Sequence, residues 1–484
     1  MIEKTPDDPS ATTKSVPAMA NTGAIAAVGL DLQEGKVIPR KQVVSWALWD
    51  WATQPFNTVI LTFVFTALYL TSDAFISPEL AALPEGDTQR VLAIDALSGQ
   101  FGFAIFIAGL LIAVLAPVMG QRSDASGRRK FWLLVNTGIV VLCMGLLFFV
   151  QAAPAFFVLG AALVPIGSVF QEIANVSYNA MLVQVSTKKT VGKVSGLGWG
   201  LGYIGGIVAL VIVVVLTQLD WFGMSTDNGM VYRVIAVGCA VWTVIFVIPI
   251  ILNVPEIEGT GTRERVNFFR SYVLLAKDIK RLFVESRQTF WFLVASAVYR
   301  DGLAGVFAFG AIIATGTFAF TSNEVLIFGV AANLVAGVST IVSGRFDDRF
   351  GPRAVILFSL VGLVVAGTAT FAFHDGGKSL FWVFGLLLCA FVGPAQSSSR
   401  SLLARVTPAG REGEIFGLYA TTGRVASFIS PALWTISIAV FGATIYGVLG
   451  IAIVLLVGAV LLVFVKLPKY VRAEAPSSVP GSLA

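Results

Sequence analysis

The sequence predicts an all-α membrane protein: twelve transmembrane helices arranged as two pseudo-symmetric six-helix bundles. Composition is the first observation behind this. Hydrophobic residues make up 56% of the 484 and charged residues only 13%, with a mean hydropathy of +0.84, which leaves too little polar surface to cover a water-facing globule. An ordinary soluble enzyme is excluded. The second observation is a series of twelve runs that meet or approach the roughly 20 apolar residues a spanning helix needs. The third is a repeated box, GQRSDASGRRK at 120–130 and GRFDDRFGPR at 344–353, each copy lying between two apolar runs. Gly120, Asp124, Gly127 and Arg129 match Gly344, Asp348, Gly351 and Arg353 in one register, so the chain reads as two related halves. A tight Gly-containing turn with an acid and several Arg is what a short hairpin between spanning helices needs. Parallel repeats with a binding site between them are a transporter architecture.

Residues 1–40 mix Pro, Ser, Thr, Asp and Lys with a small-residue run too short and too weakly apolar to span, and they read as a disordered cytoplasmic tail. The run lies too late and is too rich in Gly and Ala for a signal peptide. The first bundle is expected over 41–254, with spans near 45–71, 94–120, 131–150, 154–185, 195–219 and 232–254. The second is expected over 289–467, with spans near 289–317, 322–344, 353–374, 379–405, 413–438 and 445–467; residues 468–484 form another cytoplasmic tail. An even number of crossings puts both termini on one side. Of the 33 Lys and Arg, only Arg90, Arg233 and Lys378 fall in or beside the alternate loops and Arg300 and Arg424 inside spans, which marks the terminal side as cytoplasmic. The outer loop 72–93 is acidic, with Asp73, Glu79, Glu85 and Asp87. The outer loops contain no Asn-X-Ser/Thr acceptor, which favours a bacterial inner membrane.

Between the bundles, 255–288 places Phe268, Phe269, Tyr272, Leu275, Ile279, Leu282 and Phe283 at helical spacing, with Lys277, Lys280 and Arg281 opposite. This is an amphipathic linker expected to lie along the cytoplasmic headgroups; a partner-binding helix is the alternative. The net charge of +5 is confined to one side of the membrane and does not point to nucleic acid. Cys143, Cys239 and Cys389 fall inside apolar runs, supporting neither disulfides nor a metal cluster, and the one histidine, His374, lies in a short loop. No metal-ligand spacing, nucleophile box or nucleotide loop appears, so no cofactor, metal or enzymatic activity is expected.

Ionisable groups inside a bilayer mark pathways or paired networks, since each costs about 2.5–3.5 kcal/mol at the midplane. Segment 1 carries Asp50 with Thr53, Gln54, Asn57 and Thr58 at helical spacing; segment 4 carries Glu172 with Ser168, Gln171, Asn175 and Asn179. Segment 7 holds Tyr299, Arg300 and Asp301, segment 11 Arg424, and the cytoplasmic end of segment 10 Arg400. The expected cavity residues are therefore Asp50, Gln54, Asn57, Glu172, Asn175, Arg300, Asp301 and Arg424. The structural alternative is salt bridging of Asp50 or Glu172 to Arg400 or Arg424. Arg300 and Asp301 are adjacent and point to different helix faces, while Ser397, Ser398, Ser399 and Ser401 stand ready to satisfy carbonyls near Pro394. A second repeat matches Gly192, Gly196, Leu197 and Gly202 to Gly413, Gly417, Leu418 and Gly423, so segment 5 answers segment 11. Gly196, Gly198, Gly200, Gly202, Gly205 and Gly206 suit close helix packing, or a helix that slides or bends.

The box resembles the signature loop of the major facilitator superfamily, found between helices 2 and 3 and again between helices 8 and 9. The resemblance implies that Asp124 and Asp348 face a helix N-terminus and nearby Arg residues and latch the halves on the cytoplasmic side. The gating set is then Gly120, Asp124, Arg128, Arg129, Gly344, Asp348, Arg349 and Arg353, with Arg400. Ala125 stands where an Arg is usual, as Arg349 does in the second copy, which implies a weaker first latch. Segment 5 also resembles the glycine-rich helix-5 box of antiporters, with Tyr203 where proline is usual. SWALWDWA (45–52), YNAML (178–182), GKVSGLGWGLGYIGG (192–206), Asp301-Gly302, QSSSRSL (396–402) and GEIFGLYATTGRVASFISP (413–431) are similar to the vacuole-effluxer-like branch of that superfamily. Departures are Trp49, where Tyr is common, and Val183, where Pro often follows. That branch implies a secondary transporter exporting a small solute, an amino acid or related metabolite. The repeats imply alternating access, a monomer in the lipid bilayer is expected, and the membrane carboxylates Asp50, Glu172 and Asp301 make protons a candidate coupling partner. The alternatives are a proton-coupled drug or metabolite exporter and a non-transporting membrane sensor on the same fold.

Overall fold

The computed structural model describes residues 29–84, 86–218, 227–256, 268–285 and 287–466. Among them are twelve helices long and apolar enough to cross a membrane. Helices 1–6 are Arg40–Leu70, Thr88–Ser126, Arg129–Phe149, Pro154–Val183, Val191–Leu216 and Met230–Asn253. Helices 7–12 are Arg287–Gly316, Glu324–Phe350, Pro352–Ala372, Lys378–Val406, Glu412–Phe441 and Tyr446–Phe464. In the first half helix 1 packs on 5 and 6, helix 4 on 2 and 3, and helix 3 on 6; in the second, helix 7 packs on 11 and 12, helix 10 on 8 and 9, and helix 9 on 12. The halves repeat one packing plan. They meet chiefly along two seams, helix 2 against 11 and helix 5 against 8.

The boxes are not the loops the sequence suggested. Helix 2 runs on to Ser126, Gly127 turns the chain at φ 64°, and helix 3 begins at Arg129; helix 8 runs to Phe350, Gly351 turns it at φ 89°, and Pro352 opens helix 9. Gly120 and Gly344 therefore lie inside helices, where they serve backbone contact rather than turning. A Cβ on Gly120 would collide with the Gly413 carbonyl oxygen, and one on Gly344 would lie 2.7 Å from that of Gly192. Only glycine admits approach this close.

Apart from 3-10 turns at the ends of helices 3 and 4, two spanning helices depart from a plain α-helix. Helix 1 is α-helical over Arg40–Pro55 and π-helical over Phe56–Phe63 and Phe65–Leu70. Past Pro55 the ladder widens, and the Thr62 and Thr66 hydroxyls donate to the carbonyls of Asn57 (2.7 Å) and Ile60 (2.9 Å). Helix 11 is broken into Glu412–Ala426 and Ile429–Phe441.

The tail assignment over 1–40 needs correction. Residues 1–28 lie outside the described residues, as do 468–484, but Gly29–Gln33 forms a 3-10 turn wedged where the halves meet. Leu30 is 1% exposed and packs into the core, the Gly29 N–H donates to the Thr407 carbonyl at 3.3 Å, and Asp31 pairs with Lys188. Helix 1 itself begins at Arg40, inside the expected tail. The linker forms a helix, Phe268–Glu285, lying against helices 2 and 7 with Leu275 and Leu282 buried and Lys277 and Lys280 exposed. At the start of helix 2, Arg90 reaches back to Asp73 of the preceding loop at 2.7 Å and Asp87 caps the helix at the Gln89 N–H; Glu85 lies outside the described residues.

Candidate solute cavity and closing contacts

The polar stripes follow from helical spacing. Asp50, Gln54 and Asn57 recur every three or four residues along helix 1, as do Glu172, Asn175 and Asn179 along helix 4, with Gln171 beside Glu172. The structure brings both stripes, with Arg300, Asp301, Gln396, Arg400 and Arg424 from the second half, to the wall of one cavity of about 340 Å³. All eight sequence-derived cavity residues line it. Thr53, Thr58 and Ser168 do not; the hydroxyls of Thr53 and Ser168 turn back onto the carbonyls of Trp49 (3.0 Å) and Val164 (3.1 Å) in their own helices.

The charged groups of the cavity are unevenly shared. Asp50 and Glu172 come from the first half, and Arg300, Asp301, Arg400 and Arg424 from the second. Glu172 Oε2 lies 3.8 Å from Arg424 and also accepts from Asn175 at 3.4 Å; this pair is partly open, with side chains 24% and 41% exposed. Asp50 lies 3.8 Å from Arg400, whose side chain is only 3% exposed. Arg300 is held by the Tyr419 carbonyl at 2.7 Å and lies over the Tyr419 ring at 3.7 Å from its centroid. Asp301 lies on the next face of the helix, as adjacency requires, at the cavity edge. Its Oδ2 accepts from the Ser430 N–H at 2.5 Å, at the start of the second piece of helix 11 just past the break.

At the end of the bundle where helix 1 begins and helix 12 ends, hereafter the terminal end, two contacts close the halves on each other. Asp124, at the end of helix 2, accepts from the N–H groups of Gly413 and Glu414 at 3.0 Å each, at the start of helix 11. Arg129 bridges Asp124 (2.7 Å) and Glu412 (2.5 Å). In the other seam Asp348 accepts from Gly192 N–H (2.8 Å) and Lys193 N–H (3.0 Å), at the start of helix 5. Each carboxylate thus neutralises the positive end of a helix in the opposite half.

The arginines around the second contact are not those expected. Arg405 pairs with Asp348 (3.0 Å) and Asp347 (3.1 Å) and donates across the divide to the Lys188 carbonyl (2.7 Å). Arg353 reaches the Val463 carbonyl instead, Arg349 is exposed over the Phe350 ring, and Arg128 is exposed. Arg349 takes no part in the second contact, so Ala125 in its place does not weaken the first. The box arginine pairs with its aspartate in the first copy alone. Arg405, Asp347, Glu412, Glu414 and Trp199 escaped the sequence reading; the doubled acid of Asp347-Asp348 and the acid-rich start of helix 11 were the available signals.

Arg400, from helix 10, crosses into the first half. Its guanidinium donates to the Ser195 carbonyl (2.6 Å), Ser195 Oγ (3.0 Å) and Asn179 Oδ1 (3.0 Å), and lies within 5.2–5.6 Å of the ring centroids of Trp46, Tyr178 and Trp199. Tyr178 is stacked between Trp46 and Trp49 at 4.3 and 4.4 Å.

Twelve spanning helices in two like halves, with one polar cavity between them, define a secondary transporter of the major facilitator type and not an enzyme. Solved structures agree in fold: the E. coli fucose:proton symporter FucP matches with a TM-score of 0.64 over 88% of this chain and 98% of its own, at 13% identity. A bacterial homologue of the iron transporter ferroportin, in an outward-facing state, matches at 0.62 over 87% and 98%, at 15% identity. The chain belongs to the vacuole effluxer Atg22-like family, whose model matches residues 183–475. An uncharacterized MFS-type transporter of Bacillus subtilis, YxiO, is 26% identical over 434 residues, covering 88% of this chain and 95% of that one. Autophagy-related protein 22 of Cryptococcus neoformans is 23% identical over 286 residues, 55% of this chain and 51% of the fungal protein. The matched region thus spans about half the fungal relative's length.

Proposed function

We propose that the protein exports amino acids or closely related zwitterionic metabolites by alternating access, as a monomer in a bacterial cell membrane with both termini in the cytoplasm. The observation that carries this reading is the opposition of charge across the cavity: the Asp50 and Glu172 carboxylates on one half face the guanidiniums of Arg300, Arg400 and Arg424 on the other, where the one carboxylate, Asp301, is engaged by the Ser430 N–H. A solute bearing both an ammonium and a carboxylate answers both walls of such a site; a singly charged or neutral solute leaves one wall unanswered. The naming of the family as effluxers supports the direction. The Asp124 and Asp348 contacts act as latches of the cytoplasmic side, released when the halves rock apart. Counterflow of a panel of labelled solutes in proteoliposomes tests the reading: exchange of amino acids is expected, and exchange confined to neutral sugars or apolar drugs overturns it.

Coupling to protons is the second reading, favoured by Glu172, the more open of the two cavity carboxylates paired with arginine. Separation of the halves takes Arg424 away, and a proton replaces it. Glu172→Gln then abolishes transport driven by a pH gradient while leaving exchange at equal pH largely intact. Survival of pH-driven transport in that variant assigns Glu172 a structural part and moves the question to Asp50 or Asp301.

A further inference from the structure

The place Arg400 occupies has the make-up of a cation receptor. Asp50 supplies a carboxylate, Ser195 and Asn179 supply oxygen acceptors, and Trp46, Tyr178 and Trp199 supply ring faces; all belong to the first half. The Tyr178 hydroxyl is buried in the same wall, beside the Asp50 carboxylate and the Arg400 guanidinium. The occupant alone comes from the second half. Asp50, Asn179, Trp199 and Arg400 also line the solute cavity, so the receptor opens directly onto the solute. When the halves part at the terminal end, Arg400 leaves with helix 10. A poorly solvated carboxylate and a set of acceptors then remain without a cation, which is a costly arrangement.

We infer that Arg400 is a built-in stand-in for the cationic head of the solute. An organic ammonium or guanidinium takes its place against Asp50 and the aromatic faces, and the two compete for one site. Solute arrival thereby weakens a contact that joins the halves, so binding itself favours opening of the terminal end. The inference rests on the transport reading for its physiological meaning, but its test requires no transport.

The test is a chemical complementation with the full-length protein in detergent. Arg400→Ala is titrated with guanidinium chloride and with methylammonium chloride at low millimolar concentration, sodium chloride serving as ionic control, and tryptophan fluorescence and thermal stability are followed. The variant should show a saturable response at least tenfold tighter than the wild type, whose own arginine fills the site. Adding Asp50→Asn should remove that response. Should the alanine variant not fold, Arg400→Met keeps the aliphatic stem and carries the same titration. A variant no more responsive than wild type, a double variant that responds equally, or a response that sodium reproduces overturns the inference. Acidification giving the same change without added cation also overturns it, since a proton and not an organic cation would then occupy Asp50. Cation binding intact with no amino-acid counterflow overturns the transport reading alone; counterflow without cation binding overturns the receptor alone.

Discussion

Replacing Asp124 by Asn removes one of the two carboxylate oxygens on which the helix 2–helix 11 seam closes. Oδ1 accepts from Gly413 N–H and Arg129, Oδ2 from Glu414 N–H, and the side chain is fully buried. The amide offers one acceptor, so one of these backbone donors loses its partner, at about 1–3 kcal/mol for a buried polar group, and the bond to Arg129 loses its ionic character, at about 1 kcal/mol more. A loss of about 3 kcal/mol falls on the closed form, because the contact exists only while the halves meet. At about 1.4 kcal/mol per tenfold, the open population rises roughly 100-fold. The assay is the reaction of a single cysteine at Thr407, which is fully buried at the terminal end, with a membrane-impermeant thiol reagent. Its rate should climb by about that factor, while solute affinity of the closed form changes little. A folded Asp124→Asn protein whose labelling rate stays within about threefold of the parent would refute the latch role. Asp348→Asn should have the smaller effect, since Arg405 retains Asp347 as a partner.

Cysteines introduced at Asn57 and Asn175 should react with small water-soluble thiol reagents in the native protein, whereas one at Ser168 should not; protection of the first two in every transport state would mean that the polar stripes pack against protein. The native Cys143, Cys239 and Cys389 are buried and should stay silent in that experiment. Leu30→Asp should free the Gly29–Gln33 wedge, with about 2 kcal/mol of burial lost, and limited proteolysis should then cut near residue 30 much faster; an unchanged cleavage pattern would show that the wedge adds nothing to closure. Gly413→Ala places a methyl 2.6 Å from the Gly120 carbonyl oxygen and should bias the protein open as strongly as loss of Asp124. Transport rates equal to the parent's would contradict that.

The lipid made much of this fold legible. A bilayer demands long apolar helices, so twelve spans could be counted, and it penalises isolated charges, so Asp50, Glu172, Arg300, Asp301 and Arg424 stood out as a set before their cavity was visible. What stayed hidden depends on partners distant in sequence. Whether Gly120 turns a chain or touches another helix is decided by Gly413, which local pattern does not reveal. Arg405 rather than Arg353 serves Asp348 because long, flexible side chains select partners by tertiary placement. The Gly29–Gln33 turn looked like tail because its few apolar atoms acquire meaning only in the crevice between the halves. Neither the break after Ala426 nor the widened ladder past Pro55 in helix 1 has a unique sequence signature.

The crossed pairing of the two seams has the form of an isologous dimer. The box of the first half meets the helix start of the second, and the box of the second meets the helix start of the first, as the same two patches would in a twofold pair of identical subunits. Each half consequently owns a complete self-complementary surface: Asp124 with Gly192 in one, Asp348 with Gly413 in the other. A single half expressed by itself holds both the key and the lock, and a second copy of it can supply the missing counterpart. Asp124 depends on Gly413 and Glu414 and not on Asp348, so each repeat is constrained by its partner across the seam and not by its own counterpart.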